Sequence, residues 1–169
     1  MFQTALVNSP QIAIFTELDL PGEDSTAYRE VLEAMAAHDY HPHPASLAGK
    51  RVGIFFEETF FNGLTDFAAN ELVASLPVRS QPYVTDCQFW FDSQHYHLVG
   101  VYGSSIENGT QLNNLTQVLK KDFYDDLIKT LKETNLPDLI MAGDWNTAAD
   151  EEANRCSSDS DWKHYVSEI

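Results

Sequence analysis

Basic residues are scarce in this sequence. Ten lysines and arginines stand against 26 aspartates and glutamates in 169 residues, a formal charge of −16. Nonspecific nucleic-acid binding is driven by Lys and Arg neutralising phosphates, so the net field of this chain opposes association with a duplex. Cysteine is almost missing too. Cys87 and Cys156 form no metal-binding spacing and suit a reducing compartment, with a single disulfide as the open alternative. No run approaches the roughly 18 apolar residues of a membrane span. Met1 to Pro10 has neither the basic start nor the apolar centre of a signal peptide. The expectation is a soluble intracellular protein, cytoplasmic or nuclear, with no membrane attachment. The sequons at Asn108 and Asn114 would matter only in a secreted chain.

What is present is a hydrophobic fraction of 43%, enough for one globular domain with a proper core. That domain is read over residues 1–155, followed by a polar linker and C-terminal tail over 156–169.

The stretch Leu136-Pro-Asp-Leu-Ile-Met-Ala-Gly-Asp144-Trp-Asn146-Thr147 organises the rest. An apolar run from Leu139 to Ala142 follows the turn-forming Pro137-Asp138 pair and stops at Gly143, which predicts a short buried strand carrying Asp144 and Asn146 at its C-terminal end. In an extended chain these two point to one side and Trp145 to the other. A carboxylate beside a carboxamide suits the holding of a water or a phosphate. An Asp/Asn-rich turn closing a strand is the plainer reading of the same residues.

Upstream, Gln11 to Leu18 predicts a buried strand ending at the acidic Glu17. Ser25 or Asp24 is the candidate cap of a helix over 26–38, with Tyr28, Val31, Leu32, Met35 and Ala36 at helical spacing. His38, His41 and His43 alternate with prolines in what reads as an exposed loop without fixed ligand geometry. Lys50 to Phe56 predicts a strand, and residues 59–76 an irregular segment with a turn at Asn62-Gly63 and then a short helix or strand. Tyr83–Asp92 and His95–Tyr102 predict a hairpin turning at Ser93-Gln94, with Val84, Phe89, Phe91, His97, Val99 and Val101 carrying the alternation. Leu112 to Thr134 predicts a long helix with Leu115, Val118, Leu119, Phe123, Leu127, Ile128 and Leu131 in one stripe.

Gly143-Asp144-Trp145-Asn146-Thr147 after an apolar strand resembles the Gly-Asp-aromatic-Asn signature of the endonuclease/exonuclease/phosphatase superfamily of metal-dependent phosphodiesterases. The order of elements supports the resemblance: Thr16-Glu17 ends a strand where relatives carry a Gln-Glu pair, and Val99-Gly-Val-Tyr102-Gly-Ser ends another like the relatives' strand closing in Tyr. Val52-Gly53 reverses the relatives' usual order of glycine and valine. The Asn154-Arg155 pair after an acidic run most resembles LINE-type retrotransposon endonucleases.

The resemblance implies an α/β sandwich with a mixed sheet, truncated at both ends relative to a complete family domain. It implies Glu17 as a ligand of Mg²⁺, with Mn²⁺ as the alternative ion, since a carboxylate oxygen suits a hard cation. It implies that Asp144 orients or deprotonates the attacking water, and that Asn146 and Tyr102 hold the phosphate. Tyr102 also reads as a strand-end core aromatic. No residue matches the relatives' catalytic histidine, and His164 lies in the wrong place. Two functions follow: a metal-dependent phosphodiester hydrolase acting on nucleic acid or a small phosphodiester, or an inactive remnant serving as a structural or protein-binding module. Both imply a homo-oligomer or a protein partner covering the shortened sandwich.

Overall fold

Strand β3 (Val52–Glu57) is buried along almost its whole length. Such a strand needs cover on both faces, and the architecture supplies it. The computed structural model describes residues 10–18, 20, 22–43, 47–69, 71–104, 120–134, 136 and 138–146. The sequons, residues 112–119 of the expected long helix, Cys156, the acidic run after Asn146 and the boundary between 155 and 156 lie outside those residues.

In one sheet β3 is central, flanked by β1 (Ile12–Thr16) and β2 (Tyr40–His43), both antiparallel to it. Alternation then sends Val52, Ile54 and Phe56 to one side and Gly53 and Phe55 to the other. Phe55 packs with Tyr28 and Met35 of α1 (Thr26–Ala36) and with Leu18, Leu20, Tyr40 and Leu47. Ile54 and Phe56 face Cys87, Phe89 and Leu98 of a second sheet. Each added side chain of this size buried from water stabilises the fold by about 1.5–3 kcal/mol.

The second sheet has the order β4 (Thr65–Ala69), β5 (Val84–Phe91), β6 (Gln94–Tyr102), β7 (Leu139–Asp144). The first three strands pair antiparallel and β6 pairs with β7 in parallel, so the sheet is mixed. Its outer face is covered by α3 (Glu71–Ser75) and α4 (Lys120–Thr134), where Leu72, Val73, Val84, Val99, Val101, Phe123 and Leu127 form one cluster. The layers run helix, sheet, sheet, helix, with a further short helix α2 (Glu58–Asn62) after β3.

Several sequence expectations shift. Ser25 is the cap of α1, its hydroxyl accepting the Tyr28 N–H at 3.1 Å, and the helix stops at Ala36. Among the described residues β1 and β7 end their sheets, and neither is the buried strand expected: β1 is half-buried and β7 half-buried to exposed. Within the histidine and proline stretch Tyr40–His43 is a strand, not an exposed loop, while His38 lies in an exposed turn before it. The strand lies on the sheet edge, where a proline lacking its N–H is tolerated, and His43 is buried with its Nε2 3.0 Å from the Asp86 carbonyl. The hairpin turns at Asp92-Ser93 rather than Ser93-Gln94, both with positive φ (50° and 63°), which is the twist that two-residue hairpins favour. The segment after β3 resolves into α2, β4 and α3.

Candidate active site

The C-terminal ends of β1, β6 and β7 and the N-terminal start of β3 lie at one end of the sandwich, because β1 runs against β3 and β6 runs with β7. Tyr102 and Asp144 are paired directly across the β6–β7 ladder, on the strand face that looks towards the other sheet. Glu17 follows the last residue of β1 with a left-handed φ of 61°. The exposed Glu17 and Asp144 carboxylates both act on the buried Tyr102 hydroxyl. The sequence-derived set of Glu17, Tyr102, Asp144 and Asn146 is therefore gathered in one region.

Asn146 reaches that region by a turn rather than by strand alternation. Its φ is 48°, and its backbone N–H donates to Asp144 Oδ1 at 2.9 Å. Its carboxamide donates to the Gly103 carbonyl and is hydrogen-bonded to Tyr102. The plainer reading, an Asp/Asn turn, thus describes how the pair is built. Trp145 points away, stacking on Tyr124 of α4 with centroids 6.4 Å apart, and Tyr124 Oη donates to the Trp145 carbonyl.

Two glycines permit this approach. A Cβ at Gly143, whose φ is 146°, would meet the Val101 carbonyl, and one at Gly103 would meet the Trp145 carbonyl and the Tyr124 hydroxyl. The Gly103 N–H donates to the Asp144 carbonyl at 2.7 Å, locking the ends of β6 and β7 together.

Burial pushes the Tyr102 hydroxyl above its ordinary range. The Asn146 hydrogen bond and Arg51 oppose that shift, while Glu17 and Asp144 reinforce it. At neutral pH the group is a phenol and donates a proton. Arg51 is a member of the region that the sequence reading treated only as the start of a strand. Its guanidinium carbon lies 5.3 Å from the centre of the Tyr83 ring and 5.5 Å from that of Tyr102, and the two rings are parallel to within 3°.

Among the described residues, no group of three or more His, Cys, Asp or Glu side chains is gathered to hold a metal ion. The donors present are carboxylate and carboxamide oxygens. They fit a Mg²⁺-type ion, which binds through one or two carboxylates and keeps oxygens of water and phosphate for the rest.

A second titratable pair lies elsewhere. Asp86 and His97 sit side by side on β5 and β6, both 1% exposed, with His97 Nε2 3.1 Å from Asp86 Oδ2. The carboxylate also accepts the N–H groups of Leu72 (3.1 Å) and Val73 (2.9 Å) at the start of α3. The sequence reading counted His97 among the alternating strand residues and did not single out Asp86.

No family model and no curated protein matches the chain. Solved structures do match. A D. rerio TDP2 humanized by 14 mutations is 18% identical with a TM-score of 0.55, covering 94% of this chain and 62% of that one. D. rerio TDP2 complexed with single strand DNA product is 20% identical with a TM-score of 0.54, covering 90% and 55%. A β-hairpin deletion mutant of beta toxin from Staphylococcus aureus is 12% identical with a TM-score of 0.58, covering 98% and 61%. The chain shares the α/β sandwich fold of these structures, over between 55% and 62% of their length. These likenesses carry the fold and do not single out the LINE-type subfamily.

Proposed function

We propose that this chain is a divalent-metal-dependent phosphodiester hydrolase of the nuclease type. The observation that carries the reading is the convergence of Tyr102, Asp144 and Asn146 at the ends of β6 and β7, facing Glu17 at the end of β1. The protonated Tyr102 donates a hydrogen bond to a non-bridging phosphate oxygen, and Asn146, bonded to Gly103 and Tyr102, holds that hydroxyl in place. Asp144, anchored through Asn146, orients a water and takes its proton as the water oxygen bonds to phosphorus. The phosphorus–oxygen bond to the leaving alcohol breaks on the opposite side, and the alkoxide collects a proton from solvent. Glu17 is the residue that would hold Mg²⁺ or Mn²⁺, and such an ion, when bound, offsets the charge that develops on the phosphoryl and leaving oxygens.

The fold supports this reading. TDP2 has been crystallised with single strand DNA product, which makes nucleic acid one substrate class to assay. The formal charge of −16 favours a small or single-stranded ester over a duplex. The second reading is an inactive binding module. The outer edge of β7 favours it: β7 ends the sheet order among the described residues, and Ile140 on it is 46% exposed, a surface suited to a second copy or another protein.

Calorimetric titration with Mg²⁺ or Mn²⁺, alongside cleavage of a single-stranded oligonucleotide and of bis(p-nitrophenyl) phosphate, tests the choice. Binding lost in Glu17→Ala, with cleavage lost in both Glu17→Ala and Asp144→Ala, is the expected result. A folded wild type that neither binds the ion nor cleaves either ester would leave the binding module.

A further inference from the structure

We propose that Tyr124 is a positioning residue of this site, holding from α4 the turn that carries Asp144 and Asn146; its effect on turnover rests on the hydrolase reading. Tyr124 is 2% exposed and belongs to the cluster on the outer face of the second sheet. Its ring stacks on Trp145, with centroids 6.4 Å apart and planes within 15°, and its hydroxyl donates to the Trp145 carbonyl. One helical residue thus grips both the side chain and the main chain of the residue between Asp144 and Asn146. That grip fixes the planar peptide unit leading out of Trp145, and with it the direction of Asn146 relative to Asp144.

The turn needs such a hold. Asn146 has a left-handed φ of 48°, a backbone state that persists where surrounding contacts determine it. Its carboxamide donates to the Gly103 carbonyl and its N–H to Asp144 Oδ1, while the Gly103 N–H donates to the Asp144 carbonyl at 2.7 Å. Gly103 is where the turn meets β6. A Cβ there would stand 2.6 Å from the Tyr124 oxygen, so the missing side chain leaves the space that the Tyr124 hydroxyl and the Trp145 carbonyl share. Burial raises the Tyr124 hydroxyl above its ordinary range, and Asp144 reinforces the shift, so the group stays a donor at neutral pH. Asp144 must be aimed at the water it activates, and misplacement by about 1 Å can cost on the order of 10² in rate. Tyr124 supplies that aim through Trp145.

Amide hydrogen exchange of the full chain, followed residue by residue by NMR, tests the assignment alongside cleavage of bis(p-nitrophenyl) phosphate in Mg²⁺ or Mn²⁺. Tyr124→Phe keeps the ring and loses the hydroxyl. It should speed exchange of the Gly103 N–H, relative to the mid-strand Val99 N–H, by about two- to tenfold, the loss of one neutral hydrogen bond. It should lower kcat by about tenfold and change KM by less than about twofold, because Tyr102, which binds the phosphate, stands on β6 and not on the turn. Tyr124→Leu, which also loses the stack, should go further on both readouts; if thermal melts show that it does not fold, Tyr124→Phe carries the test. Leu127→Val, which trims a buried side chain further along α4, is the control and should leave both readouts at the wild-type value. Tyr124→Phe at the wild-type value in either exchange or kcat overturns the proposal, as does a Leu127→Val that moves both readouts equally. Exchange is scored separately from cleavage. A wild type without turnover removes the hydrolase reading, and the Gly103 exchange ratio then decides by itself whether Tyr124 holds the turn.

Discussion

Tyr102 and Asp144 are register partners at the C-terminal end of the parallel β6–β7 ladder. Parallel pairing is what puts the phenol and the carboxylate at one end of the sandwich; an antiparallel β7 would have carried Asp144 towards Gln94 and the hairpin turn. A connection through α4 on the outer face is how a chain joins two parallel neighbours, so the helix and the site share one topological cause.

On the hydrolase reading, Asp144→Asn and Tyr102→Phe each lower kcat by on the order of 10²–10³, the usual loss for one contributor to a charged transition state. Both should melt close to the wild type, since Asp144 is exposed and Tyr102→Phe keeps the ring packing on Tyr83. Because the Tyr102 hydroxyl is raised above its ordinary 10.0, wild-type activity should show no alkaline limb from this group below about pH 10. Steady-state assays on the three proteins from pH 6 to 10 make the comparison. A Tyr102→Phe enzyme as fast as wild type would remove the phenol from the mechanism.

Gly143→Ala is expected to destabilise the fold by about 1–3 kcal/mol or more, because the new methyl meets the Val101 carbonyl at a φ of 146°. Gly22→Ala is the control, since a Cβ there meets nothing within 4 Å. Urea denaturation of both variants measures the difference. Equal midpoints would mean that the β6–β7 end relaxes freely around the site.

Much of this arrangement was legible because periodicity carries it. α1, the β5–β6 hairpin and the apolar run before Asp144 are patterns that local packing enforces; Glu17 and Asp144 stand where such runs end in an acid, whereas Tyr102 was singled out by the family resemblance. β2 was not legible. Tyr40-His-Pro-His43 has neither β-branched residues nor clear alternation, and becomes a strand because the edge of β3 needs a partner. Arg51 was hidden for a similar reason. Its place beside Tyr102 depends on two tyrosine faces contributed by β6 and by the turn before β5, and no spacing around Arg51 signals them. Asp86 reads as one more acidic residue until the backbone of α3 is placed over it.

Asp86→Ala should cost about 3–5 kcal/mol, since it leaves His97 and two N–H groups of α3 buried without their acceptor. Asp86→Asn keeps an acceptor oxygen and should lose less. The order Ala below Asn below wild type in urea midpoints checks the argument. An Ala variant as stable as wild type would mean that water or rearrangement satisfies these groups.

His43 makes stability depend on pH. Burial lowers its pKa below the ordinary 6.5, against the opposing pull of the Asp86 carbonyl and carboxylate. The unfolded chain therefore takes up a proton near pH 6.5 that the folded chain refuses until lower pH. The contribution is fully present above 6.5 and declines as pH falls towards the depressed folded value, by at most about 1.4 kcal/mol per pH unit. His43→Gln should flatten the fall in urea stability between pH 7 and 5. An unchanged slope would assign that fall to other groups.

Among the described residues β7 ends its sheet, which bears on whether the chain acts alone. Ile140 lies on the strand face that looks towards the other sheet, in register with the buried Leu98, yet is 46% exposed. An apolar residue on an edge strand presents both unpaired backbone groups and hydrophobic surface, a combination that recruits another strand or another protein. Sedimentation velocity over a range of concentrations is expected to show self-association that Ile140→Lys weakens, because a lysine blunts strand edges and its charge resists burial. The same substitution lies away from Glu17, Tyr102 and Asp144, so retained cleavage in a monomeric Ile140→Lys would separate assembly from chemistry. Cleavage lost together with association would instead mean that the second copy helps to build the site. A wild type that stays monomeric at every concentration would remove self-pairing of β7 and leave the edge to a different protein.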